Sequence, residues 1–190
     1  AAPGAPADDT TLAKINLCQL ISNIPQFADK SIRLIGEAMN ELDAQFDSLP
    51  DEHKKSVTIL YNKIAVRRAA LLSKAEKWDE VEANHRQLLA AVEKTFGKDG
   101  APPQALTPIL DLLSTALFKQ QKYSEMEPVV KRALALNPTD DSLINMHSIC
   151  LMEQSKYEEA ETLLRGILTR AYDAKGPNDM ATLAARFGVA

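Results

Sequence analysis

Two short sequences that stand 34 residues apart, Lys122-Tyr123-Ser124-Glu125 and Lys156-Tyr157-Glu158-Glu159, indicate the fold of this chain. A related sequence, Lys77-Trp78-Asp79-Glu80, precedes the first of them by 45 residues. Similarity at a fixed spacing of this size is typical of helical repeats, in which each repeat forms one supersecondary unit. We therefore expect Trp78 and Tyr123 to stand at turns between helices and to be largely buried there.

The residues around each aromatic recur at fixed offsets as well. A leucine stands six residues before it, a small residue nine before it and another apolar or small residue ten after it: Leu72, Leu117 and Leu151; Ala69, Ser114 and Ser148; Leu88, Ala133 and Ile167. Small residues let two helices cross closely, while a leucine fills the space between them. The pattern predicts antiparallel helix pairs that stack on their neighbours.

The connectors and the N-terminal part of the chain carry further repeats. Three connector residues recur 76 residues later: Phe96 as Tyr172, Gly100 as Gly176 and Ala105 as Ala181. An earlier, more divergent unit is expected around Phe27, with Leu17, Cys18 and Ile21 ten, nine and six residues before it.

Prolines divide the chain into segments whose apolar residues recur at three- and four-residue spacing, which predicts amphipathic helices. The predicted helices cover residues 11–22, 26–47, 51–75, 79–97, 104–121, 124–136, 140–154, 157–174 and 178–187. Candidate N-caps are Asp51, Ser124, and Asp140 or Asp141, because a short side-chain oxygen can accept from a free first-turn N–H. Apolar residues are mainly Leu and Ala, which favour helix over strand. We expect an all-α protein.

The helices are expected to form one domain over residues 11–190. Its pairs would cover residues 11–47, 51–97, 104–136 and 140–174, with a terminal helix at 178–187 over the last apolar face. Residues 1–10, rich in Ala and Pro, are expected to form a flexible tail. A start at Ala1 is explained either by a cloning boundary or by a mature end left after cleavage of a targeting peptide. We therefore expect a soluble protein of the cytoplasm or of an organelle interior.

These repeats resemble the tetratricopeptide repeat family, in which an aromatic opens the second helix of each 34-residue pair and a proline follows that helix. The residues that match its pattern are Leu117, Tyr123, Ala133 and Pro138, and then Leu151, Tyr157, Ala160, Leu164 and Ile167. The connectors at 96–102 and 172–179 look like those of the kinesin-light-chain subgroup. The sequence departs from the family at Arg68 and His147, where a leucine-like residue is usual, and at Met126. The resemblance implies a right-handed α-solenoid of stacked antiparallel helix pairs.

Charge and motif content exclude several classes of function. With 22 Lys and Arg against 26 Asp and Glu, the net charge of −4 disfavours nucleic acid as a partner. Charged residues interrupt every apolar run, so direct membrane insertion is not expected. His53 and His85 have no histidine or cysteine three or four residues away, and His147 with Cys150 gives only two potential ligands, so no metal site is expected. The sequence holds no nucleotide-binding or nucleophile motif, so we expect no cofactor, no catalytic residue and no enzymatic activity.

Buried roles are expected for two histidines and both cysteines. His85 and His147 fall on core-facing positions, where a hydrogen-bonded structural histidine is the common case. Cys18 and Cys150 lie far apart in apolar helical segments, which favours free core thiols over a disulfide.

The first helices of successive pairs are expected to line a concave surface for a protein partner, which makes the chain an interaction scaffold. The candidate partner-binding residues on that surface are Arg67, Lys74, Asp111, Phe118, Lys119, Asn145 and Met152. A subset of the family grips C-terminal carboxylates with a Lys and an Asn one turn apart. That clamp is absent here, because Val66 and Ala70 in one unit, and Asp111 and Thr115 in the next, stand at its positions.

Two accounts of this surface remain open at the level of sequence. In the first, Phe118 and Met152 contact the apolar side of a partner segment, while Arg67 and Lys119 meet its acidic flanks. In the second, the chain is a structural accessory subunit whose outer helices dock permanently on a larger complex, which can be an organellar one. For Phe118 and Met152 themselves, burial between repeats is the alternative to contact with a partner.

Overall fold

The computed structural model describes residues 9–21, 24–97, 100–177 and 179, and every regular element among them is helical. The helices are α1 (Asp9–Ile21), α2 (Ala28–Phe46), α3 (Asp51–Lys74), α4 (Trp78–Phe96), α5 (Pro103–Lys119), α6 (Tyr123–Leu136), α7 (Asp141–Glu153) and α8 (Tyr157–Lys175). A single 3₁₀ turn, Pro25–Phe27, precedes α2. The predicted all-α class is confirmed. Residues 1–8 of the predicted tail, and the predicted helix at 178–187 apart from Asp179, lie outside the described residues.

The chain divides into two compact units, Ala1–Ile109 and Leu110–Ala190, with the boundary inside α5. In unit 1, α2 packs against α1 and α3, and α3 packs against α4. Its core includes Ile35 and Met39 of α2 and Leu72 of α3, all with less than 2% of their surface exposed. The grouping of the whole chain into one repeat domain stays a prediction.

Unit 2 contains the end of α5 together with α6, α7 and α8. α7 packs against both α6 and α8. Ile144 of α7 packs with Leu164 and Ile167 of α8, and the partly buried Leu134 and Leu163 complete this cluster. Apolar residues three and four positions apart on α8 therefore form one buried stripe, as an amphipathic helix requires.

Three turns between helices have the same backbone geometry. Each contains a non-glycine residue in the left-handed region: Glu76 (φ 55°), Gln121 (φ 57°) and Ser155 (φ 60°). The lysine that follows this residue donates its backbone N–H to the carbonyl of the leucine that stands six residues before the aromatic. The three bonds join Lys77 to Leu72 (3.0 Å), Lys122 to Leu117 (3.0 Å) and Lys156 to Leu151 (2.9 Å). This closure, of the Schellman type, satisfies a carbonyl at the helix end. The recurrence around Trp78, Tyr123 and Tyr157 is therefore a recurrence of structure.

The same turns explain which predicted N-caps are correct. Asp140 caps α7, where its carboxylate accepts from the N–H groups of Ser142 (3.0 Å) and Leu143 (3.1 Å). The prediction for Ser124 was wrong, because the closed turn brings Lys122 to the cap position and α6 begins at Tyr123. Asp51 was also predicted wrongly: it is the first residue of α3, and its carboxylate accepts from Lys54 Nζ at 2.7 Å.

The connector repeat of 76 residues is wrong, because the equivalent glycines are Gly97 and Gly176, which stand 79 residues apart. Both follow helices of 19 residues, with φ of 77° and 83° and ψ of 157° and 174°. Each donates its N–H at 2.8 Å to the carbonyl four residues earlier. Gly100 does not have this conformation. The similarity of Phe96 and Tyr172 suggests the spacing of 76 residues. The spacing of 79 residues is correct, because it is the distance between the helix starts at Trp78 and Tyr157.

Gly97→Ala is expected to destabilise unit 1 by about 1–3 kcal/mol, because its backbone lies in a region that L-residues rarely adopt. Nothing lies within 4 Å of a Cβ built there, so conformational strain is the only penalty. Gly166→Ala, inside α8, is the control and should stabilise by about 0.5–1 kcal/mol. Urea unfolding measures both changes. Equal effects of the two substitutions would contradict the assigned conformation.

The aromatic residues at the turns differ in burial. Trp78 and Tyr123 are mostly buried, although neither is fully enclosed, whereas Tyr157 is 64% exposed. The Tyr123 ring packs edge-on against Phe118, with ring centroids 6.4 Å apart. The prediction of large burial for Trp78 and Tyr123 is therefore confirmed. The leucines six residues before the aromatics, which are at most 3% exposed, are buried more completely and fill the core.

Arg68 stands at a position where the family usually has leucine, and its guanidinium makes three hydrogen bonds inside unit 1. Its Nε donates to the carbonyl of Ile32 (3.2 Å), Nη1 to Asn84 Oδ1 (3.4 Å) and Nη2 to Glu80 Oε2 (3.5 Å). Gly36 leaves room for it, since a Cβ there would lie 3.3 Å from Arg68 Nε. A guanidinium with partners on α2 and α4 thus stands where the family usually has an apolar contact.

The two core-facing histidines differ. His85 is 2% exposed, and its Nδ1 lies 2.9 Å from the Val81 carbonyl oxygen, so the prediction of a hydrogen-bonded core histidine is confirmed. Burial lowers the pKa of His85, which keeps it neutral at pH 7. For His147 the prediction was wrong: its buried Nε2 has no hydrogen-bond partner among the described residues.

Candidate functional site

A groove of about 390 Å³ opens on unit 2 between α5 and α7. One residue of α5, six of α7 and one of α8 line it: Phe118, Ser142, Asn145, Met146, Ser148, Ile149, Met152 and Leu164. Most of these side chains are apolar, and the polar ones are small and uncharged. The groove therefore offers an apolar floor with a few hydrogen-bonding groups, which is the usual composition of a ligand-binding cleft.

Helical spacing brings the α7 residues together. Ser142, Asn145, Ile149 and Met152 follow one another at intervals of three, four and three, so they share one face of α7. Met152 is 38% exposed in the last turn of this helix. The face therefore changes from polar at its N-terminal end to apolar at its C-terminal end.

Phe118 forms the opposite wall of the groove. It lies in the last turn of α5 and is half-buried, with the Tyr123 ring against one side. A ring held in this way is a rigid apolar contact, whereas Met152 across the groove is flexible and adapts its shape. Burial between repeats, the alternative left open by the sequence, does not describe Met152, which is 38% exposed, whereas Phe118 is partly buried.

The seven predicted partner-binding residues do not all meet in this groove. Phe118, Asn145 and Met152 line it together. Lys119 follows Phe118 directly and is exposed. Asp111 lies two turns before Phe118 on the same side of α5.

Arg67 and Lys74 belong to unit 1, on α3. Arg67 is half-buried and Lys74 is exposed. Lys74 continues an exposed stripe of α3 in which Ile59 (70% exposed) and Val66 (52% exposed) alternate with Lys63. These α3 residues make a surface of unit 1 that mixes apolar and basic groups.

The register of the first helices also places Ser142 and Ile149 on the predicted surface, beside Asn145 and Met152. Three groove residues escaped the sequence-based prediction: Met146, Ser148 and Leu164. Ser148 was identified only as a small residue at a helix crossing. Leu164 was identified only as a family position on the second helix of its pair. The signal that could have found Leu164 was its apolar stripe with Ile167, which faces α7.

Asp111, which is not part of the groove lining, is an acidic residue on the same helix as Phe118. Its Oδ1 is buried and has no hydrogen-bond partner among the described residues. Burial raises the pKa of the Asp111 carboxyl, and the nearby Asp140 carboxylate raises it further. Asp140 precedes the groove residue Ser142 by two positions. The carboxylates of Asp111 and Asp140 are therefore neighbours near the N-terminal end of α7. No sequence motif predicted this pair.

In the part of the chain that the structure describes, neither the thiol of Cys150 nor the potential metal ligands meet the needs of a reactive or metal site. Cys150 is free and fully buried, and burial raises the pKa of its thiol to about 11, so it stays protonated at pH 7. No three His, Cys, Asp or Glu side chains are grouped there as metal ligands. None of the helices described has the length and apolar character needed to cross a membrane.

Comparisons with known proteins establish the fold. No family model matches the chain. The chain is similar to a solved structure of YrrB, described as a TPR protein with an unusual peptide-binding site. The TM-score is 0.53 at 16% identity, over 94% of this chain and 84% of that one. The tetratricopeptide-repeat fold predicted from the aromatic turns is thereby confirmed.

A curated relative matches a shorter part of the chain. It is Protein POLLENLESS 3-LIKE 2 of Arabidopsis thaliana, 33% identical over 70 residues, which are 37% of this chain. The match spans 16% of the length of that protein.

Proposed function

We propose that this protein is a non-enzymatic interaction scaffold that binds a segment of another protein in the groove of unit 2. The observation that carries the proposal is the pairing of Phe118 and Met152 across a groove with a mostly apolar lining. Exposed apolar side chains that converge on one groove are costly in water and are typical of binding sites. The peptide-binding site named for YrrB, a protein of the same fold, supports the same use of the surface.

The rigid placement of the groove residues on packed helices makes the groove selective for the shape of its partner segment. Its floor residues stand on α7, whose start is fixed by the Asp140 cap and whose other faces pack on α6 and α8. Residues on packed helices hold their positions better than residues on loops, so little entropy is lost when a partner binds. The affinity then comes from a few anchors, of which Phe118 is the aromatic one. The partner is a protein rather than nucleic acid, since the groove lining has no basic residue.

A second candidate function is that of an accessory subunit docked permanently on a larger complex. The exposed stripe of α3 favours it, because Ile59 and Val66 are 70% and 52% exposed on a helix that also presents Lys63 and Lys74. In that case the partner covers α3, and the groove of unit 2 plays no part. Substitutions in the two surfaces separate the two functions.

The test is selection of 15-residue peptides from a random display library on the immobilised full chain, followed by titration of a selected peptide. Met152→Glu is expected to weaken binding at least about tenfold, because it places a charge where apolar surface was buried. Its melting temperature should change little, since Met152 is 38% exposed. Tyr157→Ala is the control, an aromatic loss outside the groove at a residue that is 64% exposed.

Two outcomes would contradict the groove. Equal affinity of the wild type and Met152→Glu for every selected peptide would show that the groove does not bind the peptides. If binding were instead lost in Val66→Glu, the α3 surface and the accessory-subunit function would be favoured.

A further inference from the structure

One face of α3 in unit 1 leaves large apolar side chains exposed. Ile59 is 70% exposed and Val66 is 52% exposed, and they stand seven residues apart on this helix. Neither α2 nor α4, the two helices that pack against α3, has a large apolar side chain exposed to this extent. Apolar side chains that gather on one exposed face are typical of a surface that a partner covers.

The exposed residues of α3 follow the spacing of a coiled-coil seam. Ser56, Ile59, Lys63, Val66 and Ala70 are all exposed, at successive intervals of three, four, three and four residues, and they are called the α3 stripe below. This alternation places the side chains in one narrow line, against which a second helix can pack. Ile and Val at every second place of the line are residues that two-stranded coiled coils favour there. The α3 stripe therefore has the form that accepts another helix.

The α3 stripe is also positively charged. Lys63 lies within it, and Lys55 and Lys74 are exposed near its two ends. None of these three lysines has an ion-pair partner among the residues that the structure describes. Lys54, on another face of the same helix, does have one, since its Nζ lies 2.7 Å from Asp51 Oδ1. The charge of the stripe is therefore available to a partner.

Charge decides which helix fits the stripe. A second copy of this face would bring lysines against lysines, because the stripe has no acidic residue of its own. Like charges that face each other across an interface disfavour association. A helix with Asp or Glu beside its apolar residues supplies the opposite charge to Lys63, and a charge-assisted hydrogen bond can form there.

We propose that the α3 stripe binds an amphipathic helix of another protein. The apolar residues of this helix pack on Ile59 and Val66, and an Asp or Glu beside them pairs with Lys63. Ile59 and Val66 lie roughly 10 Å apart along the helix axis, so the apolar residues of the partner recur every two turns. The inference goes beyond the proposed function, because it concerns unit 1 and does not require the groove of unit 2.

The test is selection on the immobilised full chain from a display library of 21-residue peptides. The library fixes an apolar seam with heptad spacing and randomises the other positions. Enriched peptides are expected to contain Asp or Glu next to the seam. Lys63→Glu should weaken the binding of such a peptide about tenfold, because an attractive pair becomes a repulsive one. Replacing the acidic residue of the peptide by Lys should restore most of the affinity for Lys63→Glu.

Lys30→Glu is the matched control. Lys30 is an exposed lysine of α2 outside the stripe, so this substitution makes the same change of charge within the same unit. It should change the affinity less than about twofold, because an exposed charge away from the interface is screened. Both variants should melt close to the wild-type temperature, since both side chains are exposed.

Several results would overturn the inference. Equal losses in Lys63→Glu and Lys30→Glu would show a general attraction between charges and no specific stripe. Peptides that keep their affinity after a central residue is replaced by proline would bind in an extended form, not as a helix. A dimer of the full chain that Val66→Glu dissociates, measured by sedimentation, would make a second copy the occupant. A library without enriched peptides would also contradict the inference.

The stripe and the groove fail separately. Binding of the 21-residue peptides that is weakened by Met152→Glu but not by Lys63→Glu would support the groove and overturn this inference. The reverse pattern would support the inference, and the proposed function would then depend on the 15-residue peptides alone.

Discussion

Leu117→Ala is expected to lower the free energy of unfolding by about 2–5 kcal/mol, the usual cost of emptying a buried leucine site. Leu117 has 0% of its surface exposed. Its carbonyl also accepts the Lys122 N–H that closes the turn into α6, so the packing of its side chain and the closure of the turn occur at one residue. Denaturant unfolding followed by circular dichroism measures the change.

Tyr123→Ala is the comparison for Leu117→Ala. Because Tyr123 is less completely buried than Leu117, its truncation should cost about 1–2 kcal/mol, less than the loss of the leucine. A larger cost for the tyrosine would show that the turn aromatic, and not the leucine, holds the pair together. The equivalent substitution Leu72→Ala should reproduce the leucine result in unit 1.

Arg68→Ala should cost about 2–3 kcal/mol, because it removes the donor to Asn84 Oδ1 and Glu80 Oε2 and leaves space beside Gly36. The Arg68 side chain is 17% exposed, so solvent compensates only a small part of this loss. Trp78 is the single tryptophan of the chain and lies in unit 1, so its fluorescence reports this unfolding directly.

Arg68→Met separates packing from polar contacts. It retains an unbranched stem of similar length and should cost about 1 kcal/mol, the net value of the lost hydrogen bonds. If Arg68→Met were as destabilising as Arg68→Ala, the polar contacts would dominate. If both were neutral, Arg68 would be a tolerated substitution without a structural role.

Structural features that depend only on residues close together in sequence were predictable. The aromatic, its preceding lysine and the leucine six residues earlier recur because they form one local closure at Trp78, Tyr123 and Tyr157. The same locality made the Asp140 cap predictable. Errors arose where the exact helix start decided the outcome, as at Ser124 and Gly100.

Features that depend on residues distant in sequence were not predictable. Arg68 seemed merely a departure from the family, because its acceptor at Ile32 and the space at Gly36 are contributed by another helix. Asp111 was identified as a surface residue by its register. Its buried, unpartnered oxygen became visible only with the surrounding helices in place.

The site was predictable to the extent that it follows the repeat register. Phe118, Asn145 and Met152 were chosen because they occupy equivalent faces of first helices, and the structure brings them into one groove. Leu164 comes from a second helix, to which that reasoning did not extend. Whether Arg67, Lys74 and Lys119 contact the same partner stays a prediction.

The succession of closed turns has a consequence for how fast this protein folds. Packing in unit 1 joins α1 to α2, α2 to α3 and α3 to α4, and in unit 2 it joins α6 to α7 and α7 to α8. The most extensive helix–helix contacts thus join neighbours along the chain, and short loops close quickly with little loss of chain entropy. Chains of such low contact order reach the native state in microseconds to milliseconds, which leaves their apolar faces little time to associate with other molecules during synthesis.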